Sequence, residues 1–455
     1  MNVILGAGLA GLSASYHLGH DNCTILERTG RPFGHISSTY RDGFTWDQGP
    51  HVSFTKQQYV RELFEASTKG RVEEFEAVVG NYYKGAWIDH PAQTSLYQVP
   101  EPERSACLEA FLSTRSTTPD KDAANYGEWL TGAFGPTFAQ VFAGTYTQKY
   151  WTCPPDRLST EWIGSRIHYP NVDDVITGAS GPLKKPFHYI TNVRYPTKGG
   201  YQAFADSLKE GSHIIYGAEV ISVDLDNKKV LCANGTIFPY TKLINTLPLP
   251  VFIRLCTSAP SNVLEAAMNL ACSQLLLVNT AVPHPALRPE HWIYVYDSDK
   301  LATRINHTEK LSQNNAPDGW CGIQTEVYFS RFKPLSEAPD LIEKRIKDEL
   351  IEMGLVDPLK FRNGHSLHQH VKMIPWANVI FTLETASMLD VIWSWLEEHG
   401  LARSSNDTHP LTDWTRDEPA DSRCTVFMAG RFGQWKYFWS DDCVMRGRQI
   451  AALLN

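Results

Sequence analysis

Val3-Ile4-Leu5-Gly6-Ala7-Gly8-Leu9-Ala10-Gly11, nearly the first residues of the chain, decide its fold. A short apolar strand runs into Gly-x-Gly-x-x-Gly and then into Leu12-Ser13-Ala14-Ser15-Tyr16-His17-Leu18, which reads as a helix. Gly6 makes the tight turn, Gly8 lets a phosphate approach the backbone beside Ala10, and Gly11 lets helix pack on strand. The helix start offers unpaired N–H groups and a positive dipole end to a pyrophosphate. A second apolar strand, Cys23-Thr24-Ile25-Leu26, delivers Glu27, 21 positions after Gly6, where an acid can accept ribose hydroxyls. Glycine loop, helix, second strand and acid in this order predict a dinucleotide-binding α/β domain.

The next residues extend that reading. Arg28 and Arg31 lie in a turn-rich stretch near the expected phosphates. Phe44-Thr45-Trp46-Asp47 alternates like a strand, broken by Gln48-Gly49-Pro50-His51. This continuation resembles that of FAD enzymes of the glutathione-reductase-like class, with His35 where a second glycine is usual. The resemblance implies FAD as the dinucleotide.

Composition bounds the rest. A chain of 455 residues holds two or three domains with ample core. A net charge of -8 gives no general attraction to nucleic acid, so an anionic ligand needs a local basic pocket. Nine cysteines without a Cys-x-x-Cys pair point to reduced thiols in a cytoplasmic setting. No apolar run approaches the roughly 18 residues that cross a bilayer, and the motif starts too early to leave room for a signal peptide. Thirteen Trp and 19 Tyr fit either a rich core or a large stacking cleft.

Along the chain, residues 56–66 read as a helix and Lys84-Gly85 as a hairpin turn. Residues 102–150 read as a helical insert with Leu108, Phe111 and Leu112 on one face, and 159–167 as another helix start. Short strands are expected at 214–216, 219–223, 229–231 and 242–246, returning to the nucleotide sheet, with Val220 meeting the adenine through its backbone. Strands at 275–282, 291–296 and 322–332, a helix over 338–353, a surface loop over 402–421, a strand at 424–431 and a helix over 441–454 complete the pattern. His365, His368 and His370 lack accompanying metal-ligand spacing and read as a solvated face. The expected architecture is a Rossmann-like FAD-binding domain (1–78, 192–250, 422–455), an inserted helical cap (100–191) and a mixed, antiparallel-sheet substrate domain (79–99, 251–421).

Several short motifs resemble those of the UDP-galactopyranose mutases, particularly the longer eukaryotic type. Gly49-Pro50-His51 is similar to the stretch whose histidine lies beside the flavin. His90-Pro91-Ala92-Gln93 and Tyr146-Thr147-Gln148-Lys149-Tyr150-Trp151 resemble segments that place Gln93 and Trp151 at the nucleotide base. Trp162-Ile163-Gly164-Ser165-Arg166, and Trp292-Ile293-Tyr294 followed by Arg304, resemble the segments carrying the two diphosphate arginines. Gly430-Arg431-Phe432-Gly433-Gln434-Trp435-Lys436-Tyr437 matches the most specific signature, which implies that Gly430 and Arg431 border FAD, Tyr437 the diphosphate, and the helix begun by Asp441 and Asp442 the flavin ring. His90 and Thr147 depart from the family's tyrosine and asparagine, and Asp441 stands where asparagine is usual.

The resemblance implies a mutase that interconverts pyranose and furanose forms of a nucleotide-diphosphate sugar without net redox, FAD being active when reduced, with NADPH or NADH as reductant. Arg166 and Arg304 would then stabilise the departing diphosphate, Tyr294 and Tyr437 would assist, and His51 would support the flavin. The sugar, the base and a homo-oligomeric state stay open. The competing class is an FAD-dependent oxidase or dehydrogenase of the amine-oxidase or protoporphyrinogen-oxidase kind, which shares the first and last motifs.

Overall fold

The computed structural model describes residues 1–115, 123–164, 166–183, 192–360, 366–403, 408–412, 414 and 423–454. Strand Asn2–Leu5, with Val3, Ile4 and Leu5 fully buried, lies at the centre of a five-stranded parallel sheet. Lys242–Asn245 and Cys23–Glu27 flank it, and Val426–Met428 and Ile214–Tyr216 form the edges. A parallel sheet must be covered on both faces, because its strands are apolar on both. Helix Leu9–Leu18 and the C-terminal helix Ser440–Leu454 cover one face, with Ile4, Ile25, Ile244 and Phe427 beneath them. On the other face Val3, Leu5, Leu26 and Leu243 pack toward helix Leu249–Leu255 and a three-stranded sheet.

A seven-stranded sheet forms the second layer, in the order His368–Ile380, Ala271–Val282, Cys321–Phe329, Arg304–His307, Trp292–Val295, Val79–Tyr83 and Ala86–Asp89. Only the pair Trp292–Val295 and Val79–Tyr83 is parallel. Side chains alternate across a strand. Ile293, Ile305, Ile323 and Val327 therefore form a core with Ile342, Ile346 and Leu350 of helix Pro339–Glu352, while Tyr294, Arg304, Glu326 and Tyr328 line a cavity on the opposite face. The helical insert closes that cavity with Tyr126–Phe134, a π-helical turn at Ala139–Gly144, and Thr145–Tyr150. A π turn widens the helix locally and is often found at functional sites.

Several expectations need correction. Residues 159–167 form turns rather than a helix, with Gly164 at φ +48° and Trp162 and Ile163 buried; Ser165 lies outside the described residues. Leu112 is exposed rather than on the buried face. Of the strands expected to rejoin the nucleotide sheet, only Ile214–Tyr216 and Lys242–Asn245 do so; Val220–Asp224 and Lys229–Cys232 pair with Ile237–Pro239 in a separate sheet. Of the loop expected over 402–421, residues 404–407, 413 and 415–421 lie outside the described residues, as does His365; Ala402 is buried and donates to the Val426 carbonyl. His370 bonds Asn279 and stands edge-on to Trp46 rather than facing solvent alone. Helices Val172–Ser180, Ser261–Asn269 and Thr385–Glu398 carried no recognised sequence signal.

Among the described residues no helix is long and apolar enough to cross a membrane. The nine cysteines are free thiols.

The helix over the phosphate loop and the C-terminal helix touch at Gly447, where an added Cβ would stand 2.6 Å from the Ala14 nitrogen. Gly447→Ala should therefore destabilise the protein by about 1–3 kcal/mol through overpacking, against the ~1 kcal/mol gain that helix propensity alone would give. Thermal unfolding of the two proteins decides the sign.

Candidate active site

One continuous cavity of about 630 Å³ runs from the glycine loop to the helical insert. At its first end Gly6 adopts φ +98°, and a Cβ on Gly11 would stand 2.1 Å from the Gly6 carbonyl oxygen. That contact seats the helix start against the strand end, as the sequence predicts. Opposite, Gly34 approaches Gly8 so closely that its Cβ would meet the Gly8 Cα at 3.1 Å. Gly34 thus provides the close backbone approach, and His35 is free to reach the Trp376 carbonyl at 2.6 Å. Gly430, at φ +83°, leaves room beside Ala10 that a Cβ would narrow to 3.2 Å. Glu27 accepts from the Ala7 N–H at 2.9 Å and from the Thr29 N–H and hydroxyl at 2.8 Å. A carboxylate has about four acceptor positions, so room remains for a ligand hydroxyl. Backbone stripped of Cβ atoms, a helix start and a ribose acid fit a dinucleotide such as FAD.

Beyond the loop, His51 Nδ1 lies 2.9 Å from the Gly49 carbonyl oxygen. A carbonyl only accepts, so Nδ1 carries the hydrogen and neutral His51 keeps Nε2 as an acceptor. Burial pushes its pKa down to about 4, against the raising effect of the Gly49 carbonyl. Its ring stands 5.3 Å from that of Tyr201, whose hydroxyl pairs with Ser440 at 2.7 Å. Tyr201 is fixed in turn by Asp47, which also accepts from Ser38 and Tyr195 at 2.6 and 2.7 Å. Burial raises the Asp47 carboxyl to about 6 despite these donors. Thr55 donates to Asp441 at 2.5 Å where the C-terminal helix meets the cavity.

The far end is aromatic and cationic. Arg166 lies on the rings of Tyr437 and Trp439, 4.6 and 4.4 Å from their centroids, and donates to the Tyr437 carbonyl at 2.8 Å. Arg431 donates to the Phe438 carbonyl at 2.7 Å and to Asn378 at 3.3 Å. Tyr294 accepts from Trp292 Nε1 at 3.2 Å and stands edge-on to Tyr146. Trp151 packs against Trp162 and Tyr437. Burial holds the phenols of Tyr146, Tyr150 and Tyr328 well above their usual pKa. Arg304 is gripped by Glu326, at 2.6 and 2.9 Å.

Gly6, Gly8, Ala10, Glu27, His51, Gln93, Trp151, Arg166, Tyr294, Arg304, Gly430, Arg431, Tyr437 and Asp441 all line this cavity. Gly11 stands behind it in its packing role. Arg28 is exposed and does not line it, nor does Val220, which faces its partner strand in the separate sheet. Asp442 is also outside the lining: it accepts from the Trp439 N–H and Trp414 Nε1 and so caps the C-terminal helix. Sequence reasoning missed Glu326, Asp47 and Tyr201. Glu326 sits in the expected strand 322–332 beside Gln324 and Thr325, and nothing in its local sequence marks it as a site residue.

Fold and cleft together define an enzyme-like flavoprotein architecture: a Rossmann-like nucleotide layer facing a separate antiparallel sheet. The chain belongs to the flavin containing amine oxidoreductase family, whose model matches residues 9–319. It is similar to a zeta-carotene-forming phytoene desaturase of Myxococcus xanthus, 35% identical over 75 residues, which are 16% of this chain and 14% of that one. It is also similar to a 4,4'-diapolycopene oxygenase of Methylomonas sp, 22% identical over 78% of this chain and 81% of that one. The chain thus spans about a seventh of the first relative. Its fold resembles that of reduced UDP-galactopyranose mutase, with a TM-score of 0.86, 22% identity and coverage of 99% and 94% of the two chains.

Half-buried His51 and buried Asp47 make opposite pH demands. Between about pH 4 and 6.5 the unfolded chain binds more protons at His51 than the folded one, so that stability is lost as pH falls. Asp47, raised from 3.8 to about 6, acts in the reverse sense over its own window. His51→Gln should flatten the fall in melting temperature between pH 6.5 and 4.5, which a series of thermal melts measures. An unchanged slope would contradict a His51 held neutral by its surroundings.

Proposed function

We propose that this protein is a flavin-dependent mutase that interconverts pyranose and furanose forms of a nucleotide-diphosphate sugar without net redox. One observation carries the reading: the segments at 49–51, 90–93, 146–151, 162–166, 292–304 and 430–437, scattered through the chain, converge on the cavity that the glycine loop opens. The mutase whose fold this chain shares supplies the sugar-nucleotide class for the proposal. Reduced FAD, when bound, would supply N5 as the nucleophile at the anomeric carbon.

The chain's own residues have separable tasks. Glu27 and the loop N–H groups hold the dinucleotide, and His51 offers Nε2 beside the flavin. Gln93 and Trp151 receive the base. Arg166, held flat by Tyr437 and Trp439, and Arg304 present planar N–H donors to the diphosphate as it departs. Tyr294 and Tyr437 add hydroxyls there. The chain then divides into the nucleotide, cap and sheet domains expected from its sequence, and NADPH or NADH keeps the flavin reduced.

A second reading, a flavin oxidase or dehydrogenase, is favoured by the apolar wall of Leu130, Phe134 and Phe138, which suits an apolar substrate as well as a base. An anaerobic assay separates the two. The reduced holoprotein should interconvert at least one member of a nucleotide-sugar panel and end with its flavin still reduced, while the oxidised form stays inert. Failure across the panel, with an amine or polyene bleaching the oxidised flavin, would overturn the mutase. Arg166→Leu should lower kcat/KM by about 10²–10³-fold, the usual cost of losing one transition-state donor.

A further inference from the structure

Arg304 and Glu326 stand directly opposite each other on the antiparallel strands Arg304–His307 and Cys321–Phe329. The carboxylate takes the guanidinium by two bonds, Nε to Oε2 at 2.6 Å and Nη2 to Oε1 at 2.9 Å. Its side chain is 2% exposed against 22% for Arg304, and both line the cavity. A Cβ on Gly49 would come within 3.1 Å of Oε1, so the loop carrying His51 packs on the same carboxylate. Tyr150 stands over the guanidinium, its centroid 6.0 Å away. The cation that a diphosphate would seek is therefore already engaged, and the pair is electrically neutral.

We propose that Glu326 is a built-in competitor for Arg304 that sets how tightly the cavity takes a diphosphate. An anion at this end either shares the guanidinium with the carboxylate or draws it away. Because Glu326 is buried, its charge is poorly screened and opposes the incoming phosphate. Neutralising it leaves a partly buried, uncompensated cation, which costs stability in the free protein and favours any anion that replaces the lost partner. This inference rests on the diphosphate reading of the cavity.

The test uses the holoprotein and calorimetric titration with UDP, with neutral uridine as control. Glu326→Gln should bind UDP about tenfold tighter than wild type, leave uridine affinity unchanged, and lower the melting temperature of the free protein. Arg304→Gln should weaken UDP binding. An unchanged or weaker UDP affinity in Glu326→Gln would overturn the proposal and leave the carboxylate as a support that only orients Arg304. If Glu326→Gln does not fold, Glu326→Asp decides: its shorter arm loosens the two-point grip and should tighten UDP binding, and no gain overturns the proposal. UDP binding by wild type without gain in the variants defeats this inference alone. No UDP binding by any of them defeats the nucleotide-sugar reading with it.

Discussion

Position 11 packs on the carbonyl oxygen of Gly6, so the first helix and the central strand meet there with no side chain between them. With 2.1 Å between that oxygen and any Cβ at position 11, helix Leu9–Leu18 can seat against the central strand only because no side chain is there. That seating aims the helix start at the crevice beyond the strand ends, where a phosphate gains unpaired N–H groups and a favourable dipole. Gly34 and Gly430 keep the same crevice clear from two other segments, and Gly447 lets the C-terminal helix run beside the first. Absence of side chains, at four separated points, makes the nucleotide end.

The opposite end is made by crowding. Tyrosines and tryptophans from the second sheet, the helical insert and the 430–439 segment pack ring against ring around three arginines. Arg166 is held by two ring faces and a carbonyl, Arg431 by a carbonyl and an amide, and Arg304 by a carboxylate. The three cations therefore differ in what a ligand must displace to reach them. His51, driven neutral by burial, lies between the two ends, and its orientation is set by Gly49 on one side and the Asp47–Tyr201 pair on the other.

Local chemistry explains which parts were legible in the sequence. The nucleotide layer was readable because strand, glycine spacing and acid lie within one continuous stretch. The alternation of Trp292 and Tyr294 with Ile293, and the helical spacing of Ile342, Ile346 and Leu350, were readable for the same reason. Helix Thr385–Glu398 was not, because only four residues separate it from the apolar end of strand His368–Ile380 and its N-cap, Glu384, makes no side-chain cap bond. The strand of Val220 was expected in the nucleotide sheet and lies in a separate one, because a strand pattern does not say which sheet it joins. Glu326 was invisible as a site residue because its meaning depends on the residue across the strand, 22 positions away.

We propose that one cavity holds a flavin and a diphosphate side by side. The most direct test is a flavin difference spectrum recorded while UDP is added to the reduced holoprotein. A saturable change in flavin absorbance, abolished in Arg166→Leu, is the predicted result. A spectrum that UDP leaves unaltered, in a protein whose flavin an amine or polyene readily reduces, would show that no diphosphate binds beside the flavin.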